Sequence, residues 1–163
     1  MEKEISKEKD IRGKSVIEEG ALDFNGSLRP IVENFSPSSY IGVDIEAGPG
    51  VDQICDAKNL IEIFRYNRFD VLICNELLEH VKNWQNVIHN IKNILKPRGI
   101  LLITTRSKGT GYHGFPFDFW RYEKSDFKFI FSDFDIEVLE KELGQGFGIF
   151  LKARKPIDFV EKS

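Results

Sequence analysis

The chain is short of the residues that build sites by themselves. Two cysteines, Cys55 and Cys74, stand 19 positions apart with no CxxC spacing, and three histidines, His80, His89 and His113, are scattered without ligand spacing. A disulfide framework and a metal centre therefore both lack partners, and buried free thiols in a reducing cytoplasm are the expectation. Charge of one sign is also missing: a net charge of -3 argues against a broad basic face for nucleic acid. Long apolar runs are absent, since ILLI (Ile100–Ile103) is far too short to cross a bilayer. The opening MEKEISKEKD is charged and has no apolar middle, so no leader is read there. No membrane partner is expected, and nothing in the residues indicates an oligomeric state.

What is present is ordinary for one globular domain: 41% hydrophobic and 30% charged residues, with fourteen phenylalanines suited to a rigid aromatic core and rim. Residues 1–12 read as a polar arm and residues 13–163 as a single domain. Lys14–Glu19 reads as a first strand, and Ser27 as the N-cap of a helix through Glu33 that tolerates Pro30 in its first turn. Tyr40–Glu46 is a second strand, broken by Gly48–Gly50, and Val51–Ala57 a short third strand before a brief helix. The apolar run Phe69–Glu76 is the strongest strand signal, of the kind a sheet covered on both faces requires. Trp84–Leu95 has helical spacing and ends at KPRG, and Gly99–Thr105 is a fifth buried strand. Arg106–Tyr122, rich in glycine and aromatics without a period, reads as a long loop. Glu123–Phe131 reads as a helix and the last two apolar stretches as a hairpin. The predicted fold class is α/β and Rossmann-like: a mainly parallel seven-stranded sheet with an antiparallel C-terminal hairpin and helices on both faces.

Polar residues then recur at successive strand ends: Glu18 and Gly20, Asp44, Asp56 and Ala57, Asn75 and Glu76. An acid about two dozen positions beyond the first glycine is placed to accept from both hydroxyls of a ribose. A carboxylate at the third strand's end could accept from an adenine amino group. With LKPRGILLITT (Leu95–Thr105), these residues resemble the class I S-adenosylmethionine-dependent methyltransferases, of the type 11-like domain, over nearly all of Lys14–Lys155. The resemblance implies S-adenosyl-L-methionine as cofactor. It implies Glu18 and Gly20 as the first motif, Asp44 as ribose ligand with Ile45 against the adenine ring, Asp56 at the adenine edge with an N–H from Ala57, and Asn75 to His80 along the methionine part. The chain departs from the family where Leu22 and Phe24 replace the usual second and third glycines. That loss weighs more against a nicotinamide-dependent oxidoreductase, whose pyrophosphate needs close backbone approach, than against a cofactor without phosphate.

Each residue also has a plain structural reading. Asp44 can be a turn former, Asp56 a helix cap, Glu18 a support for the first loop, and Glu79 with His80 a solvated turn or helix start. The Arg106–Tyr122 loop is the expected acceptor site, with His113 as general base, Asp118 as its alternative, and Tyr112, Trp120 and Arg121 on the substrate. The competing reading makes FPFDFWRY a packed plug in which Arg121 bridges to an acid. The expected function is methyl transfer to a small-molecule or saccharide-like acceptor in the cytoplasm. The alternative is a non-catalytic binding or assembly module on the same fold.

Overall fold

A computed structural model describes residues 8–23, 26–112, 114, 117–142 and 148–162. Seven strands form one sheet: β1 (Ser15–Glu19), β2 (Ser39–Asp44), β3 (Gln53–Ile54), β4 (Phe69–Asn75), β5 (Leu95–Arg106), β6 (Asp135–Lys141) and β7 (Gly148–Arg154). Their spatial order is β3-β2-β1-β4-β5-β7-β6; β1 to β5 run parallel, and β7 lies antiparallel between β5 and β6. The expected Rossmann-like architecture is the observed one. Because the order reverses between β1 and β4, the carboxyl ends of these two neighbours open a crevice of the kind in which α/β sheets bind ligands.

The helices are α1 (Glu8–Ile11), α2 (Arg29–Asn34), α3 (Leu60–Phe64), α4 (Trp84–Ile94) and α5 (Lys124–Ile130). On one sheet face Ile11 of α1 and Val32 of α2 cover Val16, Val71, Ile73 and Leu102. On the other, Leu60, Ile88, Ile91 and Phe127 from α3, α4 and α5 cover Ile17, Leu72 and Leu101. The central β4 therefore buries both faces, which is why its sequence is a continuous apolar run. Each of its large aliphatic side chains contributes roughly 1.5–3 kcal/mol of burial. Residues 8–11 of the arm are helical and packed, with Asp10 accepting from Lys152 of β7 at 2.6 Å.

Several boundaries moved, three of them for a reason the contacts show. β3 is two residues long, not seven, because Asp52 before it turns aside to accept from the Gly42 N–H at 2.7 Å and to pair with Arg29. β5 begins at Leu95, and its pairing with β4 breaks register between Phe69 and Val71, so KPRG bulges within an edge of the ladder and does not separate helix from strand. α2 starts at Arg29 with Leu28 at the N-cap, while the Ser27 hydroxyl accepts from the Arg29 N–H at 3.1 Å.

Candidate active site

The first strand ends in two acids, and both go inward. Glu18 is buried and accepts from the Tyr40 hydroxyl of β2; burial pushes its carboxyl up to about 7, against the lowering field of Arg29. Glu19, on the opposite face beside Cys74, is 1% exposed with neither carboxylate oxygen hydrogen-bonded. Burial, with the charge of Asp56 nearby, raises it well above the usual carboxylate range.

Gly20 follows at φ +72, and a Cβ there would lie 2.8 Å from the Asn75 carbonyl oxygen at the end of β4. Only glycine combines that backbone with that approach, which brings the first loop against the crevice. The loop then crosses to β2: Ala21 N–H donates to Val43 O at 3.2 Å, Leu22 N–H to Asp44 Oδ2 at 3.2 Å, and Asp23 N–H to Pro49 O at 2.9 Å. Phe24 and Asn25 lie outside the described residues. Asp44 also accepts from the Glu46 N–H through Oδ1 at 3.2 Å. One backbone donor per oxygen leaves lone pairs on both for a ribose diol, so the residue that shapes the loop also fits the expected ligand. Ile45 beside it is 58% exposed, an apolar side chain open to a ring.

Asp56 caps the 3-10 turn Ala57–Asn59, accepting from Lys58 N–H at 3.1 Å and pairing with the Lys58 ammonium at 2.8 Å; Ala57 is buried. Its capping role is thus observed, and Glu19 lies close enough to feel its charge. Asn75 accepts from the Thr104 hydroxyl at 2.7 Å, and Glu76, at φ +51, donates its N–H to Thr104 O at 3.1 Å and pairs with Arg106. These acids give the strand ends a negative bias suited to a cationic sulfonium.

Beyond β4 the structure corrects the reading of Glu79 and His80 as a solvated turn. They close the 3-10 turn Leu78–His80, and Glu79 is 0% exposed. Its Oε2 accepts from Thr105 of β5 at 2.8 Å, its Oε1 has no hydrogen bond, and its backbone carbonyl accepts from the N–H groups of Phe119 (2.8 Å) and Trp120 (3.2 Å). Burial first, then the neighbouring Glu76, raises its carboxyl to about 7. His80 Nδ1 lies 2.6 Å from Phe117 O, and its Nε2 4.0 Å from Glu79 Oε1. The polar pattern NELLEH hid this, because only the pairing of β4 with β5 brings Thr105 over Glu79.

Residues 117–120 are consequently a strap tied to the Leu78–His80 turn, with Trp120 Nε1 adding a bond to Val81 O at 3.0 Å. Asp118, expected as an alternative base, is held by Arg121 in a two-pronged ion pair with its side chain 2% exposed. Arg121 also donates to the carbonyls of Gly111 and Trp120. The pair is a clasp of the strap, which withdraws Asp118 from proton transfer and Arg121 from an anionic substrate. Tyr112 is 79% exposed, and Phe117, Phe119 and Trp120 also show apolar surface. His113 lies outside the described residues. Among the described residues no group of three metal-ligating side chains converges, and no helix is long and apolar enough to cross a membrane.

Comparison with known proteins agrees with this arrangement. A family model described as a methyltransferase domain matches residues 5–148. A ubiquinone biosynthesis O-methyltransferase of Glaesserella parasuis is 47% identical over 38 residues, 23% of this chain and 16% of that protein. One from Rickettsia canadensis is 43% identical over 49 residues, 29% of this chain and 21% of that protein. The matches thus span only about a fifth or less of these curated relatives. Among solved structures, 1,6-didemethyltoxoflavin-N1-methyltransferase of Burkholderia thailandensis, with bound 1,6-didemethyltoxoflavin and S-adenosylhomocysteine, superposes with a TM-score of 0.73 at 17% identity, covering 89% of this chain and 72% of that one. An S-adenosylmethionine-dependent methyltransferase of Mesorhizobium loti gives 0.67 at 14% identity, covering 90% and 93%.

Proposed function

We propose that this chain, which belongs to the methyltransferase domain family and is a class I S-adenosylmethionine-dependent methyltransferase, transfers a methyl group to a hydroxyl of a small aromatic acceptor. One observation carries the reading: Gly20, Asp44, Asp56 and Asn75 stand at the carboxyl ends of β1 to β4, around the switch point between β1 and β4. In this reading Asp44 holds the ribose, Ile45 covers the adenine, Asp56 and Ala57 meet its edge, and Asn75 and Glu76 border the methionine part. Glu18 and Gly20 shape the first loop beneath. When bound, S-adenosyl-L-methionine supplies an electrophilic methyl group on a positive sulfonium. The chain's own task is then to hold an acceptor oxygen in line at contact distance and to take its proton.

The aromatic acceptor is supported by the exposed Tyr112, Phe117, Phe119 and Trp120 beside these strand ends. The O-methyltransferase names of the short-stretch relatives, and the heteroaromatic ligand of the Burkholderia enzyme, point the same way. Calorimetry with S-adenosylhomocysteine tests the cofactor site, and absence of heat at millimolar ligand counts against it. Transfer of radiolabel from S-adenosylmethionine to catechols, with monosaccharides in parallel, tests the acceptor; label only in sugars moves the reading to the saccharide-like class.

A second reading has its own observation. The first loop is already stitched to β2 by Ala21 and Leu22 and to the Gly48–Gly50 turn by Asp23, and a Cβ at Gly48 would meet Leu22 Cδ1 at 2.3 Å, so that loop and the Gly48–Gly50 turn are packed face to face. A module that uses the fold for binding alone would keep such a seal. Tight S-adenosylhomocysteine binding without turnover on any acceptor is its signature.

A further inference from the structure

We propose that Glu19 makes the cofactor site selective for charge: its buried carboxyl gives up a proton to solvent when the positive sulfonium of S-adenosylmethionine binds, and regains one when the neutral thioether product replaces it. The inference rests on the methyltransferase reading above. Glu19 is the last residue of β1, directly before Gly20, and its register partner on β4 is Cys74, directly before Asn75. One residue step along either strand therefore leads from this pair to Gly20 and Asn75, beneath and beside the methionine part in that reading.

An acid is out of keeping with its surroundings there. Strand alternation turns Glu19 to the same face as Ile17, where its cross-strand neighbours Val43 and Cys74 belong to the apolar cluster under α3 and α4. It is 1% exposed, and neither carboxylate oxygen has a hydrogen bond among the described residues. Such a group costs stability, most of all when charged, so a leucine would serve the sheet better. The cations around it serve other acids: Lys58 behind β3 pairs with Asp56, Arg106 at the end of β5 with Glu76, and Arg29 of α2 with Asp52. The titratable groups that face Glu19 are the Cys74 thiol from β4 and, from the segment after β3, the Cys55 thiol and Asp56. Glu76 and Glu79 act on Cys74 from beyond it, and Glu18 lies on the opposite face of β1. Burial first, and the charge of Asp56 second, hold the Glu19 carboxyl above its ordinary range. A positive charge arriving at these strand ends acts in the opposite sense and favours the carboxylate.

Protons balance over a cycle. On binding, the Glu19 O–H bond breaks, its electron pair stays on the carboxylate and the proton goes to solvent. After transfer the C–S electron pair rests on sulfur as a neutral thioether, and Glu19 takes a proton back from solvent. The proton of the acceptor hydroxyl leaves separately, so each methyl transfer releases one proton net. Buried as it is, Glu19 acts through its field and not by contact.

Calorimetry of the full chain with S-adenosylmethionine and with S-adenosylhomocysteine, from about pH 6 to 8.5 and in buffers of different ionisation enthalpy, counts these protons. Corrected for the ligands' own titration, wild type should release more protons with the sulfonium than with the thioether. Glu19→Gln keeps the shape of the acid, and Glu19→Leu suits the apolar layer. Both should bind S-adenosylhomocysteine as wild type does and lose the extra proton. Relative to either variant, the wild-type ratio of sulfonium to thioether affinity should rise about tenfold across that pH range. Equal proton counts for the two ligands in wild type overturn the assignment, whether or not a variant folds. Variants that keep the wild-type pH dependence overturn it as well; in both cases the ligands bind and the proposed function stands. A folded wild-type protein that binds neither ligand overturns both.

Discussion

Gly20→Ala probes the junction on which the candidate site is built. The new side chain meets two separate costs. At φ +72 an alanine pays about 1–2 kcal/mol for the left-handed backbone. Its Cβ would also sit 2.8 Å from Asn75 O, a backbone atom at the end of the central strand, which can yield only by moving β4. Overpacking of that kind typically costs about 1–3 kcal/mol. Gly13→Ala is the control, because Gly13 has nearly the same backbone, φ +69, with no heavy atom within 4 Å of the place an added methyl would take. G13A should therefore lose only the first amount, and G20A the sum, about 2–5 kcal/mol. With a urea m-value of about 2 kcal/mol/M, the G20A midpoint falls by roughly 1–2.5 M and the G13A midpoint by roughly 0.5–1 M. Unfolding followed by the fluorescence of Trp84 and Trp120 reads both. Calorimetry with S-adenosylhomocysteine, at a temperature where G20A is folded, should show weakened binding in G20A and none of that loss in G13A. Equal urea midpoints for the two variants would refute the close approach of β1 and β4 as the reason for glycine.

Asp44→Ala removes the acceptor for two backbone donors and for the ribose, so S-adenosylhomocysteine binding weakens by about 1.5–3 kcal/mol, tenfold or more; unchanged affinity takes Asp44 out of the site. Glu18 and Glu79 are raised from 4.5 to about 7, and burial also raises Glu19 well above 4.5. Between pH 4.5 and 7 the folded chain holds protons that the unfolded chain has released. Their contribution is therefore full below pH 4.5 and fades as pH rises through 7. Glu19→Gln, which cannot ionise, should gain stability over wild type as pH rises from 5 to 8 in urea titrations, and a gain independent of pH would refute the upward shift of this buried carboxyl. Lys92→Met strands Asp133, whose partner ammonium sits at 2.8 Å with both side chains at most 3% exposed. A loss of about 3–5 kcal/mol is expected, and K92M/D133N should recover part of it.

Periodicity and turn residues were enough for the architecture. An unbroken apolar β4, an amphipathic α4 and an alternation of strand and helix leave few arrangements other than a doubly covered, mainly parallel sheet. The cofactor side of the site was legible for a related reason: in such a sheet the residues that follow each strand are brought to one edge, so Gly20, Asp44, Asp56 and Asn75 could be aligned by counting strands. What could not be counted was which polar side chain would find a partner. Asp118 and Arg121 in FPFDFWRY read either as groups for the substrate or as a bridge within a packed plug, and folding closes them onto each other. Glu79 reads as solvated in NELLEH, and folding buries it under Thr105, 26 positions later. Whether an ionisable group is solvent-facing, clasped or a buried acid depends on its desolvation and on donors from distant segments, neither of which local sequence specifies. The chain by itself therefore determined the sheet and its ligand-bearing edge; tertiary packing decided which acids there are structural and that Glu79 and His80 meet beneath the strap.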